Sequence, residues 1–237
     1  MNINSKEYEI TDEYNSINNY KILRRDNNYY FLKQVVNNDT LYKESLNNEI
    51  KFLKNFNNKF VPKIVDYKEN EFILYKYIEG KMLKDLGKIN LTDSLRIISK
   101  LSSILSDIHS LGYIHGDINK NNIIYNEEEV YLIDFGSIMK YGEEPEFGYY
   151  DYSSPEFITK GYIDDKSDIY SVGILLYELI TNKDPFVTKD LKNRKVSNIE
   201  NDKINYIVQK ATNYYKDLRY QNIIELKNDV DNILLNM

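Results

Sequence analysis

The sequence predicts an α+β fold with two lobes: a small strand-rich lobe over about residues 1–77 and a larger helical lobe over about 81–237. Three observations carry that reading. Runs rich in β-branched and aromatic residues fall in the first third, at 20–23, 29–36 and 71–78. Helical periodicity takes over after Gly80. No internal repeat and no Pro/Gly/Ser-rich linker interrupts a chain with only four prolines, so residues 1–237 read as one domain.

Each element follows from its residues. The first two strands are joined by Arg24-Arg25-Asp26-Asn27-Asn28, a turn-forming cluster. Residues 41–56 place Leu46, Ile50 and Leu53 at helical spacing, and the third strand stops at Glu79-Gly80. Thr92 or Asp93 is expected to cap a helix whose stripe runs Leu95, Ile98, Leu101, Leu105, Ile108. Short strands around 123–125 and 130–133 bracket an acidic turn at 127–129. A polar, Tyr-rich loop covers 137–153. Residues 168–180 are apolar on nearly all faces, which marks a buried helix, and 205–235 reads as amphipathic helix.

Composition narrows the classes. With 237 residues, 42% apolar and 29% charged, the chain has the make-up of an ordinary soluble domain. A net charge of −6 argues against nucleic acid as a partner, because phosphate binding wants a basic field. There is no cysteine, so disulfides and thiolate metal sites are excluded. Two histidines, His109 and His115, leave little room for a His-rich metal centre. Residues 1–10 have neither a basic start nor an apolar run, and the longest apolar stretch, 172–176, is too short to cross a bilayer. A cytoplasmic protein without a membrane partner is the expectation. The abundance of Asn, Lys and Ile is spread evenly and reads as the bias of an AT-rich genome.

The residues that carry chemistry lie between 115 and 136. Asp117 and Asn122, five apart, put a carboxylate and a carboxamide on one short loop. Such a carboxylate can take a proton from an attacking hydroxyl while the amide oxygen binds a hard cation. Twelve residues on, Asp134-Phe135-Gly136 follows an apolar run and offers a second carboxylate at a strand end. Taken singly, these are ordinary loop polars; their order and spacing set them apart.

On these motifs the chain resembles the protein kinase superfamily over nearly its whole length, and the bacterial Ser/Thr kinases in particular. His115-Gly116-Asp117-Ile118-Asn119-Lys120-Asn121-Asn122 is similar to the catalytic loop H-R-D-L-K-P-x-N, and Asp134-Phe135-Gly136 to the metal-binding D-F-G. Ser154-Pro155-Glu156 resembles A-P-E, and the run from Asp168 to Gly173 resembles D-x-W-S-x-G. Thr181 to Phe186 resembles T-G-x-x-P-F, and Lys210-Ala211-Thr212 with Asp217 to Gln221 is similar to K-A-L…P-x-x-R-Y-Q. The resemblance implies ATP and Mg²⁺ as cofactors, a protein substrate, and transfer of the γ-phosphate to a Ser/Thr hydroxyl.

It also implies roles. Asp117 becomes the catalytic base, Asn122 and Asp134 the metal ligands. Lys33, in Tyr30-Phe31-Leu32-Lys33, grips phosphates and pairs with Glu49, with Glu44 as the alternative partner. Ile17, Tyr75, Ile78 and Ile124 fall around the nucleotide. Glu156 should pair with Arg219, Asp168 should hold the catalytic-loop backbone, and Phe135 should stack with His115.

Several positions depart from the family. No glycine stands in Ile10-Thr11-Asp12-Glu13-Tyr14-Asn15-Ser16-Ile17, the segment aligned with G-x-G-x-x-G-x-V. Phe31 replaces a small alanine over adenine, Gly116 replaces the arginine that reads loop phosphorylation, and Asn119 replaces the catalytic-loop lysine. Tyr149 stands where Ser/Thr kinases carry threonine, and Lys120, one position beyond Asn119, is the candidate electrostatic helper. These departures keep open two alternatives: a pseudokinase serving as a nucleotide-binding or interaction module, and an aminoglycoside- or choline-type small-molecule phosphotransferase.

Overall fold

A computed structural model describes residues 1–15, 19–36, 39–144, 151–159, 161–186 and 194–237. Two compact units are present: residues 1–79 with 133–136, and residues 80–132 with 137–237.

The first unit opens with a short hairpin, β1 (Asn2–Ile3) and β2 (Lys6–Glu7). Five antiparallel strands follow: β3 (Glu9–Asn15), β4 (Asn19–Arg25), β5 (Asn28–Gln34), β6 (Ile64–Lys68) and β7 (Phe72–Lys76), in the order β3-β4-β5-β7-β6. Between β5 and β6 runs α1 (Thr40–Leu53). Asp26 and Asn27 both take positive φ, 49° and 60°, in a two-residue turn. That geometry matches the right-handed twist of the flanking strands, and Asn and Asp tolerate it. The turn pairs Arg25 with Asn28 and so fixes Tyr20 opposite Lys33. Because side chains alternate along a strand, Leu23, Leu32 and Leu74 turn to one face, where Ile3 and Tyr8 complete a core. Phe31 and Lys33 take the other face.

β3 is a strand that the sequence reading leaves as loop. Its run Glu-Ile-Thr-Asp-Glu-Tyr-Asn is exposed through Tyr14, so there is no burial alternation to detect. Pairing with β4 holds it, from Glu9↔Arg24 to Asn15↔Asn19, with an irregularity between Ile10 and Asp12. In α1, the Asp39 side chain accepts from the Leu41 amide, and Leu46, Ile50 and Leu53 are buried as their spacing predicts. The helix stops at Leu53 rather than 56, ahead of the Asn-rich segment from Asn55 to Asn58.

In the second unit, β8 (Lys81–Met82) leads to α2 (Leu91–Ser110), then β9 (Tyr113–Ile114), β10 (Ile123–Tyr125), β11 (Val130–Leu132) and β12 (Met139–Lys140). Helices α3 (Pro155–Ile158), α4 (Asp165–Thr181), α5 (Asp202–Ala211) and α6 (Ile223–Leu235) complete it. The strands form a three-stranded sheet, β11-β10-β8, and a pair, β12-β9.

The cap of α2 corrects the expectation of Thr92 or Asp93. Asn90 is the N-cap: its side-chain oxygen accepts from the Asp93 amide while its Nδ2 donates to Asp93 Oδ2. Asp93 is the reciprocal partner three residues on, which is why it looked like a cap. Leu95, Ile98, Leu101, Leu105 and Ile108 are all buried. Helix α4 is buried through most of its length, as its all-round apolarity predicts. At Gly173 a Cβ would lie 2.7 Å from the Ala211 methyl, so glycine lets α5 approach α4 closely. The 205–235 tail is two helices, because the segment after Ala211 carries Arg219 into the core instead. Among the described residues, no helix is long and apolar enough to cross a membrane.

Candidate active site

In the first unit, Lys33 on β5 is buried, and its Nζ lies 2.8 Å from Glu49 Oε2 and 2.8 Å from Asp134 Oδ1. Glu49 is buried on α1, whereas Glu44, the other candidate partner, is exposed. The second Glu49 oxygen accepts from the Phe135 amide at 3.2 Å, tying the Asp134-Phe135-Gly136 segment to α1. Burial pulls the Lys33 pKa down, but the carboxylates of Asp134 and Glu49 more than reverse this, so the ammonium stays charged with its pKa raised. Asp134 takes a positive φ of 62°, sparsely populated for a non-glycine residue, and keeps its side chain 39% exposed. The Phe135 ring stacks on Phe52 with centroids 5.4 Å apart.

The face of the sheet that bears Lys33 is aromatic. Tyr20 stacks on Phe31 with ring centroids 5.7 Å apart and planes 20° from parallel. Tyr75, opposite Phe31 on β7, is buried, and burial together with Glu49 pushes its phenol well above the usual range. Ile78 follows β7 and is half-buried. Ile17 lies outside the described residues. Tyr20 is the residue that sequence reasoning missed; the two-residue Asp26-Asn27 turn, read as a register, would have placed it opposite Lys33.

In the second unit, Asp117 sits on the loop between β9 and β10 with both oxygens held by carboxamides. Asn119 Nδ2 donates to Oδ1 at 2.8 Å and Asn122 Nδ2 donates to Oδ2 at 2.7 Å. Using its nitrogen this way leaves the Asn122 amide oxygen as its acceptor atom. Lys120 lies 3.3 Å from Glu178 Oε2 on α4, an oxygen that also accepts from the Tyr152 hydroxyl. Ile124 is half-buried on β10. Tyr149 lies outside the described residues. Gly116 has φ +77°, and a Cβ there would come within 2.8 Å of the Ser137 carbonyl, so the loop path itself calls for glycine where the family carries arginine.

Asp168 on α4 holds this loop, and a second charge cluster is formed by Glu156 and Arg219. Asp168 accepts from the His115 amide at 2.8 Å, the Gly116 amide at 3.0 Å and His109 Nε2 at 2.9 Å. Burial raises its pKa, and the His109 bond with the nearby imidazoles outweighs that, so its carboxyl sits below the usual value. Glu156 receives both Arg219 terminal nitrogens, at 2.7 and 2.8 Å. Burial again opposes and the Arg219 hydrogen bonds prevail, which lowers the Glu156 pKa from 4.5.

A depressed folded-state pKa gives stability that is complete above the unfolded value and lost as pH falls through the folded one. The chain is therefore expected to lose stability below about pH 4.5. Denaturation midpoints between pH 6 and pH 3 measure this, and Glu156→Gln is expected to show a shallower acid slope. An unchanged slope in that variant would remove Glu156 from the account.

The donor set suits Mg²⁺, which takes only one or two protein oxygens and fills its shell with phosphates and water. Asp134 in the first unit offers a carboxylate oxygen of that kind and Asn122 in the second an amide oxygen. Among the described residues no group of three or more His, Cys, Asp or Glu is placed to hold a metal ion. The buried, charged Lys33 suits a polyphosphate.

Comparison with known proteins places these geometries. A family model described as "Protein kinase domain" matches residues 16–237. A probable serine/threonine-protein kinase of Clostridium perfringens is 30% identical over 187 residues, 68% of this chain and 27% of that protein. One from Clostridium acetobutylicum is 28% identical, again over 68% of this chain and 28% of its own. The chain thus spans little more than a quarter of these relatives. Among solved structures, the PK-1 kinase of Cydia pomonella granulovirus matches with a TM-score of 0.75 at 19% identity, over 92% of each chain, a likeness of fold.

Proposed function

Since this chain belongs to the protein kinase family, with an α+β kinase-like fold, we propose that it transfers the γ-phosphoryl group of ATP to a Ser/Thr hydroxyl of a protein substrate. The two units are proposed as the small and large lobes of one kinase domain. The observation that carries the proposal is Lys33, a buried cation held 2.8 Å from both Glu49 and Asp134. A charge so deeply buried is costly to keep without a use, and an anionic ligand supplies one.

In this reading Lys33 positions the nucleotide phosphates and Glu49 fixes Lys33. Tyr75, Ile78 and Ile124 line the nucleotide, as does Ile17. Asp117 orients the acceptor hydroxyl and takes its proton as the new O–P bond forms and the bond to the β-phosphate oxygen breaks. Asp134 and Asn122 are the proposed Mg²⁺ ligands, and the bound ion supplies charge neutralisation on the phosphates. Lys120 contributes a nearby positive charge.

A second reading, a pseudokinase module, is favoured by one observation: the stacked Tyr20 and Phe31 rings share the face of Lys33, where the family carries a small residue. A nucleotide titration with and without Mg²⁺, followed by an assay of transfer to protein, separates the two. The kinase reading expects Mg²⁺-dependent ATP binding; no binding under either condition overturns it. A panel of small amines and sugars tested against a generic protein acceptor addresses the small-molecule alternative. The kinase reading expects label on the protein only.

A further inference from the structure

The family resemblance makes Asn119 a loss, a neutral residue where a lysine should reach the catalytic carboxylate. The geometry around it points elsewhere. Asn119 is 2% exposed, and every polar atom of its side chain is engaged. Its Nδ2 donates to Asp117 Oδ1 at 2.8 Å and to the Asp117 carbonyl at 3.2 Å. Its Oδ1 accepts from the Asn121 amide at 2.8 Å and from Asn121 Nδ2 at 2.9 Å. One carboxamide therefore ties the loop to itself on one side and holds the reacting carboxylate on the other. Asn122 Nδ2 holds the opposite oxygen at 2.7 Å, so Asp117 is gripped at both ends by neutral donors. The neighbouring cation, Lys120, is instead 3.3 Å from Glu178.

We propose that Asn119 is a positioning residue for phosphoryl transfer, one that fixes the Asp117 carboxylate with a neutral hydrogen bond where the family uses a lysine. This rests on the phosphotransferase reading. A neutral donor fixes the rotamer of the carboxylate without placing a full positive charge against it. The two halves of the Asn119 side chain make the proposal separable from simple loop structure. The acceptor half serves the loop; the donor half serves Asp117.

Asn119→Asp keeps an acceptor oxygen for the Asn121 amide and replaces the donor with a second carboxylate oxygen facing Asp117. For the full chain, with labelled ATP and a generic protein acceptor, this variant is expected to lose about 100-fold or more in kcat. Its Kd for Mg·ATP, and the KM for ATP, are expected to stay within about three-fold of wild type. Asn121→Ala, which removes a loop bond and no contact to Asp117, is the control and is expected to keep kcat within about three-fold. Should Asn119→Asp fail to fold, Asn119→Ala decides, with an expected kcat loss of about 10-fold or more at unchanged ATP affinity. Asn119→Asp at near wild-type kcat overturns the inference, and so does an equal loss in Asn121→Ala. A wild-type chain that transfers no phosphate overturns the phosphotransferase reading and this inference with it, whereas an active wild type beside an active Asn119→Asp overturns the inference alone.

Discussion

Asp117→Ala is expected to lower phosphoryl transfer by about 10³-fold or more while the chain stays folded and still binds Mg·ATP. Asp117 is the group to which Asn119 and Asn122 both donate, so its carboxylate, rather than a hydrophobic contact, is what the loop is built to present. The backbone of that loop is held separately, by Asp168 on the His115 and Gly116 amides. Truncation at 117 therefore removes the proton acceptor and leaves its mounting. A fall in kcat at constant KM for ATP, with an unchanged melting temperature, is the expected signature. Transfer by the variant at the wild-type rate would remove Asp117 from the mechanism.

The second large effect is on stability. Arg219→Ala is expected to cost about 3–5 kcal/mol, which for a chain of this size lowers the melting temperature on the order of 10 °C. Arg219 is 1% exposed and satisfies five acceptors: both Glu156 oxygens and the carbonyls of Asn213, Lys166 and Tyr214. Its guanidinium also lies 4.9 Å from the centre of the Tyr170 ring. Removing it takes the cation from a largely buried carboxylate, which keeps only the Ser167 hydroxyl on Oε1, and breaking one side of a buried pair is costlier than the pair's net worth. Denaturant titration of the variant measures the loss. A change below about 1 kcal/mol would mean that water enters and satisfies those groups.

The features legible in the sequence share a physical origin. Leu95, Ile98, Leu101, Leu105 and Ile108 announce α2 because a core-facing helix needs apolar residues at that period. The Glu156–Arg219 and Lys33–Glu49 pairings are legible only through the family resemblance, and burial gives their physical reason: a charge in the core needs its complement, and Glu49, unlike Glu44, falls on the buried stripe of α1. What stays hidden depends on register and on neutral hydrogen bonds. β3 has no apolar alternation, and only its pairing with β4 makes it a strand. Tyr20 reaches the face of Lys33 through the turn at Asp26-Asn27, a count of residues rather than a chemical type. The Asn119 bond to Asp117 was masked by comparison with a lysine, since a missing charge reads as a missing contact. The capping role of Asn90 is hidden in the sequence behind its partner, Asp93, by the same kind of ambiguity.

Transfer of label from γ-labelled ATP by the wild-type chain, followed by phosphoamino acid analysis of a generic protein acceptor, tests the central claim most directly. Mg²⁺-dependent label on serine or threonine, absent in Asp117→Ala, is the predicted result. ATP binding without any transfer to protein would contradict it and leave the Lys33, Glu49 and Asp134 cluster as a nucleotide-binding device alone.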